Sequence, residues 1–228
     1  MKVAIVFGLI LCSSRLYAQG VPEIPSQVPF NLSSNSVKTF DGRYSEIKGI
    51  HTFFETYQFG RIQFSDNQEK PVLLNYDALN DQILIKKDSN AAPFALRKDV
   101  VDKFVVKSSD GQVYEFVKLK HDDVEGYFLR LVNGKISLYS KVSKIIHRKK
   151  SDGDHYSEGN PDEFIKRNFY FVKKGDGSLQ ELQKSKKGIL KTFTEQEAAV
   201  SNILKKHKVD FDDYSKITIV FSEIEKLF

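Results

Sequence analysis

The chain has 228 residues, with 35 basic and 30 acidic side chains, 18 Phe, 10 Tyr, no Trp and a single cysteine. That length permits a self-sufficient hydrophobic core, in one domain or two small ones. One cysteine excludes an intramolecular disulfide framework, and a diffuse net charge of +5 is not the concentrated basic face that nucleic acid requires.

Residues 1–18 have the form of a secretory signal peptide. Lys2 precedes an apolar run from Val3 to Cys12, and the small-residue exit follows at Leu16-Tyr17-Ala18. The run is far short of the ~20 apolar residues that span a bilayer as a helix. Cleavage is expected near Gln19. It would remove Lys2 and Arg15, leaving 33 basic and 30 acidic residues, a net of +3. It would also remove Cys12. Leu11 stands before that cysteine where a lipoprotein signal wants a small residue. Export without cysteine fits a bacterial envelope, with the chain periplasmic, outer-membrane-associated or secreted.

Residues 19–47 read as an N-terminal tether, because Pro22, Pro25 and Pro29 among Ser and Asn cannot bury enough surface to offset ordering. Residues 48–183 alternate with period two, the signal of half-buried strands. Ile83 and Ile85 alternate with Gln82, Leu84 and Lys86. Phe104 and Val106 oppose Val101, Lys103, Val105 and Lys107. Ile136, Leu138 and Val142 oppose Ser137, Tyr139 and Lys141. Asn80-Asp81, Asp110-Gly111, Asn133-Gly134 and Asp176-Gly177 fall between the runs, and the Asn-Gly pair tolerates positive φ at both central turn positions. Successive hairpins predict a β-rich α+β fold: an antiparallel β-meander, as a curved sheet or a partly closed barrel. Residues 146–161 are charged and turn-rich, and predict an exposed loop.

Residues 184–228 change to a helical period. Thr194 and Glu197 match a capping box. Val200, Ile203 and Leu204 form one apolar stripe, and Ile217, Val220, Phe221, Ile224, Leu227 and Phe228 form a longer one. A third short helix is expected over Ser185 to Phe193, with Ile189, Leu190 and Phe193 inward, although Gly188 disfavours it. A small helical tail docked on or beside the sheet follows.

Several stretches resemble a family of uncharacterised exported proteins of Bacteroidota-type bacteria. They are Lys48-Gly49, Phe53-Phe54, Phe59-Gly60-Arg61-Ile62, Leu74-Asn75-Tyr76-Asp77 with Asp81-Gln82-Ile83, and above all the run from Gly126 to Tyr139. Lys186-Lys187, Ile189-Leu190 and the last helix extend the similarity, which covers roughly Lys48 to Phe228. Asn75 departs from the family pattern, which has Arg there. The resemblance implies an envelope location and a β-rich fold. It implies no activity, since none is established for the family.

Reactive constellations are sparse. His147, Asp152, Asp154 and His155 are the candidate metal ligands, but Arg148, Lys149 and Lys150 among them repel a cation and the spacing fits no zinc or calcium pattern. His121, Asp122, Asp123 and Glu125 read as a solvated turn. No Gly-x-Ser-x-Gly elbow or phosphate loop occurs. The basic run Lys141, Lys144, Arg148, Lys149 and Lys150 could meet anionic lipid or lipopolysaccharide phosphates. No cofactor and no catalytic residue are expected. The reading is a non-catalytic envelope protein that binds or scaffolds a partner: another envelope protein, a glycan or an anionic lipid. The alternative is a carrier of a small apolar ligand in a half-closed barrel, and a third is a metal-dependent hydrolase.

Overall fold

A computed structural model describes residues 37–39, 44, 46–122, 124–148 and 162–228. The signal segment and most of the tether lie outside these residues, as does the loop beyond Arg148. Among the described residues, eleven strands form one antiparallel sheet: β1 (Val37–Thr39), β2 (Gln58–Phe64), β3 (Glu69–Asp77), β4 (Gln82–Lys86), β5 (Phe94–Leu96), β6 (Val101–Lys107), β7 (Val113–His121), β8 (Val124–Val132), β9 (Ile136–His147), β10 (Glu163–Lys174) and β11 (Gln180–Leu182). Three helices follow: α1 (Lys186–Thr192), α2 (Glu197–Lys206) and α3 (Tyr214–Glu225). Among the described residues, no helix is long and apolar enough to cross a membrane.

The spatial order is β1-β5-β4-β3-β2-β6-β7-β8-β9-β10-β11. Two meanders therefore stand back to back. One runs outward from β2 to β5, the other from β6 to β11, and they join where β2 pairs with β6. The sheet does not close, since β1 and β11 are its two edges. It must nevertheless curl. Four inter-strand spacings separate β5 from β6, about 19 Å in a flat sheet. The five chain steps from Leu96 to Val101 reach at most about 18 Å. A bulge assists the bend: Gln63 pairs with Lys103 but Phe64 pairs with Val101, so Asp102 is skipped. The bulge also overturns the simple alternation expected in β6. Val101, Phe104 and Val106 are all fully buried on one core, because the extra residue reverses the facing of everything before it.

The curl encloses the first core. Ile62, Leu74, Tyr76, Ile83, Ile85, Phe104, Phe116 and Tyr127 are fully or almost fully buried there. Phe104 and Phe116 are cross-strand partners whose rings stack 4.7 Å apart at 7°, and Tyr127 meets Phe104 edge-on at 5.3 Å. The second core lies between β8–β11 and the helices. Leu138, Tyr170 and Val172 meet Ile189, Phe193, Val200, Ile217, Phe221 and Ile224. On β9, Val142 faces the first core and Leu138 the second, with buried Ser140 between them. Tyr214, the first residue of α3, packs against both cores and donates to Asn168 Oδ1 at 3.0 Å.

Several local expectations need correction. Neither Asn133 nor Gly134 has positive φ, and the turn is a three-residue connection with a register shift between Arg130 and Val132. The Glu225 carboxylate, at the end of α3, lies against Gly134 and accepts from Lys135 N at 3.3 Å. At Asp176-Gly177 the left-handed residue is Gly175, φ 52°. Asp110-Gly111 behaves as expected, with Gly111 at φ 87°. Thr194 makes no capping box. Thr194–Gln196 is a 3-10 turn without a side-chain cap, and α2 starts only at Glu197. Leu227 lies beyond α3 and is exposed, whereas Phe228 packs against the second core with its ring 5.9 Å from that of Phe193.

The short helix α1 does form, capped by Ser185 Oγ accepting from Gly188 N at 2.9 Å. Gly188 fits because the carbonyl of Gln183 occupies the space of a side chain, with Gln183 Cβ 2.7 Å from an ideal Cβ position. Gly188→Ala is accordingly expected to lower stability by about 1–3 kcal/mol through overpacking, despite the better helix propensity of alanine. Urea unfolding measures it, and a stabilised variant would contradict the close approach.

Candidate functional site

The densest polar cluster in the described structure converges on Asp81, in the turn between β3 and β4. Its left-handed backbone, φ 54°, turns the carboxylate inward. Asp81 Oδ1 accepts from Tyr76 Oη at 2.7 Å and from Tyr127 N at 3.2 Å, and it pairs with Lys141 Nζ at 2.7 Å. Oδ2 accepts from Lys98 Nζ at 2.6 Å. Lys141 also donates to Tyr127 O at 3.1 Å, and its ammonium lies 5.2 Å from the Phe128 ring centroid. Gly126 makes the approach possible, since a Cβ there would lie 2.5 Å from Asp81 Oδ2 and collide with Lys141 Nζ. Burial alone would raise the Asp81 carboxyl. The charge and hydrogen bond of Lys141, with those of Lys98 and Tyr76, outweigh it and hold the group below its ordinary value. The cluster ties the β3–β4 turn to β8, β9 and the 98–100 turn. Its chemistry is that of a fastener: the carboxylate is saturated by donors and the tyrosines are pushed far above their ordinary values, by burial first.

A second carboxylate serves the same turn. Fully buried Asp77 accepts from Leu79 N at 3.0 Å, Asn80 N at 3.1 Å and Asn80 Nδ2 at 2.9 Å, and faces His51 Nδ1 at 3.2 Å. Burial would raise it, but the hydrogen bonds from His51 and Asn80 prevail and lower it. Asn75 is buried and binds both backbone groups of Phe54, accepting at 3.2 Å and donating at 2.9 Å. Tyr76, Asp81, Gly126 and Tyr127 thus build one lock between the two meanders.

The candidate metal ligands are not assembled in the described structure. His147 is exposed at the end of β9, opposite Glu163 of β10. Asp152, Asp154 and His155 lie outside the described residues. Among the described residues no group of three or more metal-ligating side chains occurs. His121 faces Leu179 O at 3.1 Å and packs edge-on against Phe171 at 4.8 Å, while Asp122 and Glu125 are exposed and Asp123 lies outside the described residues. The described members of the basic run do not form one surface. Lys141 is engaged with Asp81, and Lys144 Nζ donates to Ile50 O at 2.5 Å and Thr52 O at 2.7 Å. Arg148 is exposed, and Lys149 and Lys150 lie outside the described residues.

Sequence reasoning missed the Asp81 cluster. It read Asp81 as turn chemistry and Lys141 as surface charge. The available signal was Gly126, a glycine inside a strand pattern, which marks a close approach of other atoms.

A groove of about 350 Å³ opens between the β7–β8 hairpin and the start of α3, with Tyr114, Leu131, Arg130, Tyr214, Thr218 and Ile219 among its lining residues. Its guanidinium is already engaged, with Arg130 Nε donating to Glu115 Oε2 at 2.9 Å. Tyr114 Oη donates to Gln112 Oε1 at 2.8 Å. The groove offers apolar contact and hydroxyl groups, which suits binding rather than proton transfer. No protein-family model, curated protein or solved structure matches this chain.

Proposed function

We propose that this chain is an exported, non-catalytic binding or scaffolding protein of a bacterial envelope. One observation carries the reading: the ionisable side chains that converge inside the described structure are engaged in fastening strands together. Asp81 takes four donors, Asp77 caps its own turn, and Lys144 holds two carbonyls. Carboxylates committed in this way to holding strands and turns are not poised to take a proton from a substrate. The export signature of residues 1–18 and the family resemblance support the location. The carrier alternative would need room inside the curled sheet, where the rings of Tyr76, Phe104, Phe116 and Tyr127 stand. The hydrolase alternative rests on His147, Asp152, Asp154 and His155.

Cell fractionation with N-terminal sequencing tests the location, and a broad hydrolase screen with and without chelator tests the chemistry. The expected result is an envelope or secreted protein beginning near Gln19, without turnover. A cytoplasmic protein beginning at Met1 would refute export. Chelator-sensitive turnover lost in His147→Ala or His155→Ala would refute the non-catalytic assignment.

A further inference from the structure

Two lysines face each other across β9 and β10. Lys144 and Lys166 are direct register partners, so their Cβ atoms lie about 5 Å apart on the same face. Neither is a freely swinging surface lysine. The Lys144 ammonium is fixed by the carbonyls of Ile50 and Thr52. The Lys166 ammonium sits 4.5 Å from the Tyr214 ring centroid and 5.9 Å from that of Phe53, and it stays open to solvent. Among the described residues, no carboxylate comes within ion-pair distance of either lysine. Asp77, which attracts Lys144 through space, is committed to His51 and Asn80. Asp212 attracts Lys166 only through space. Like charges held directly opposite each other are destabilising. Partial desolvation lowers the values of both lysines, although the Lys166 side chain as a whole is exposed, and the charge of Lys166 lowers that of Lys144 further.

We propose that this pair is a seat for a small oxyanion, of the phosphate, sulfate or carboxylate class. Lys166 makes no hydrogen bond to the described protein and offers three donors, and Lys144 keeps one N–H beyond its two carbonyl bonds. An oxyanion between them would satisfy these donors and cancel the repulsion, above the rim formed by Tyr214 and Phe53. The site goes beyond the proposed function and stands whether or not the chain is exported.

The test titrates the full chain with inorganic phosphate, against chloride at equal ionic strength, and follows the unfolding temperature and the lysine Nζ resonances. The expected result is a saturable phosphate-specific rise. Lys166→Met should weaken the apparent affinity by about tenfold, the loss of one charged hydrogen-bond donor. Lys166→Arg should retain it. Asp212→Asn should strengthen it by about two- to threefold by removing a competing charge. Lys166 is exposed, so these variants are expected to fold, which circular dichroism checks. Phosphatidylglycerol and phosphatidylcholine vesicles then separate sources: a chain that responds to phosphate and is also retained on the anionic but not the zwitterionic vesicles takes a lipid headgroup, and one that responds to phosphate without being retained takes the free ion. A wild-type response no larger than that to chloride, or one that Lys166→Met leaves intact, would overturn the site.

Discussion

Asp81→Ala is expected to destabilise the protein by about 3–5 kcal/mol, the usual consequence of removing one partner from a buried ion pair. Its carboxylate accepts from Tyr76, Lys98 and the Tyr127 amide while pairing with Lys141, and only about a fifth of its side chain is exposed. Removal leaves the Lys141 ammonium, itself 18 % exposed, without its counter-charge and next to Lys98. Chemical denaturation with the double variant Asp81→Ala/Lys141→Met separates this cost from lost packing. The double variant should be more stable than Asp81→Ala alone, because the uncompensated charge is gone. Equal stability of the two would mean that Lys141 finds other solvation and that the cluster is not a fastener. The pH dependence follows from the same geometry. The Asp81 value is lower in the folded than in the unfolded chain, so its contribution is complete above the ordinary aspartate value of about 3.9. It drains away as the pH falls through the lowered folded value. Asp81→Asn should therefore flatten the acid limb of the stability profile.

Phe116→Ala should cost about 3–5 kcal/mol. The ring is fully buried and touches Phe53, Tyr76 and Phe104, with centroid separations of 5.3, 5.0 and 4.7 Å. Truncation forfeits the transfer energy of the ring and leaves a void that the surrounding strands cannot fully collapse into. The same variant discriminates between readings of the curled sheet. If the rings fill the interior, an apolar probe such as benzene should stabilise the variant and leave the wild type unchanged. Benzene stabilisation of the wild type would revive the carrier alternative.

The legible part of the fold was local. Residues 82–86 and 101–107 are strands at the boundaries expected from alternation, because turn residues flank both runs. The stripe of Ile217, Val220, Phe221 and Ile224 marks α3. What failed depended on neighbours distant in the chain. The inward position of Val101 follows from a bulge against β2. The contact made at Gly134 comes from Glu225, a residue on another element. The capping pattern at Thr194 was displaced by a 3-10 turn after Phe193, whose fully buried ring anchors the chain there. Of the candidate site, the individual residues were visible but their company was not. Lys141 looked like one member of a basic run until β9 carried it to Asp81.

The sequence by itself determined the periods, the turns and hence the β-rich class, because each follows from the sterics and hydrophobicity of near neighbours. Only the tertiary structure decided the order of strands, the curl around stacked rings, and which charges are buried together. Those are set by pairing and burial between segments far apart in the chain, a choice no short window of residues contains.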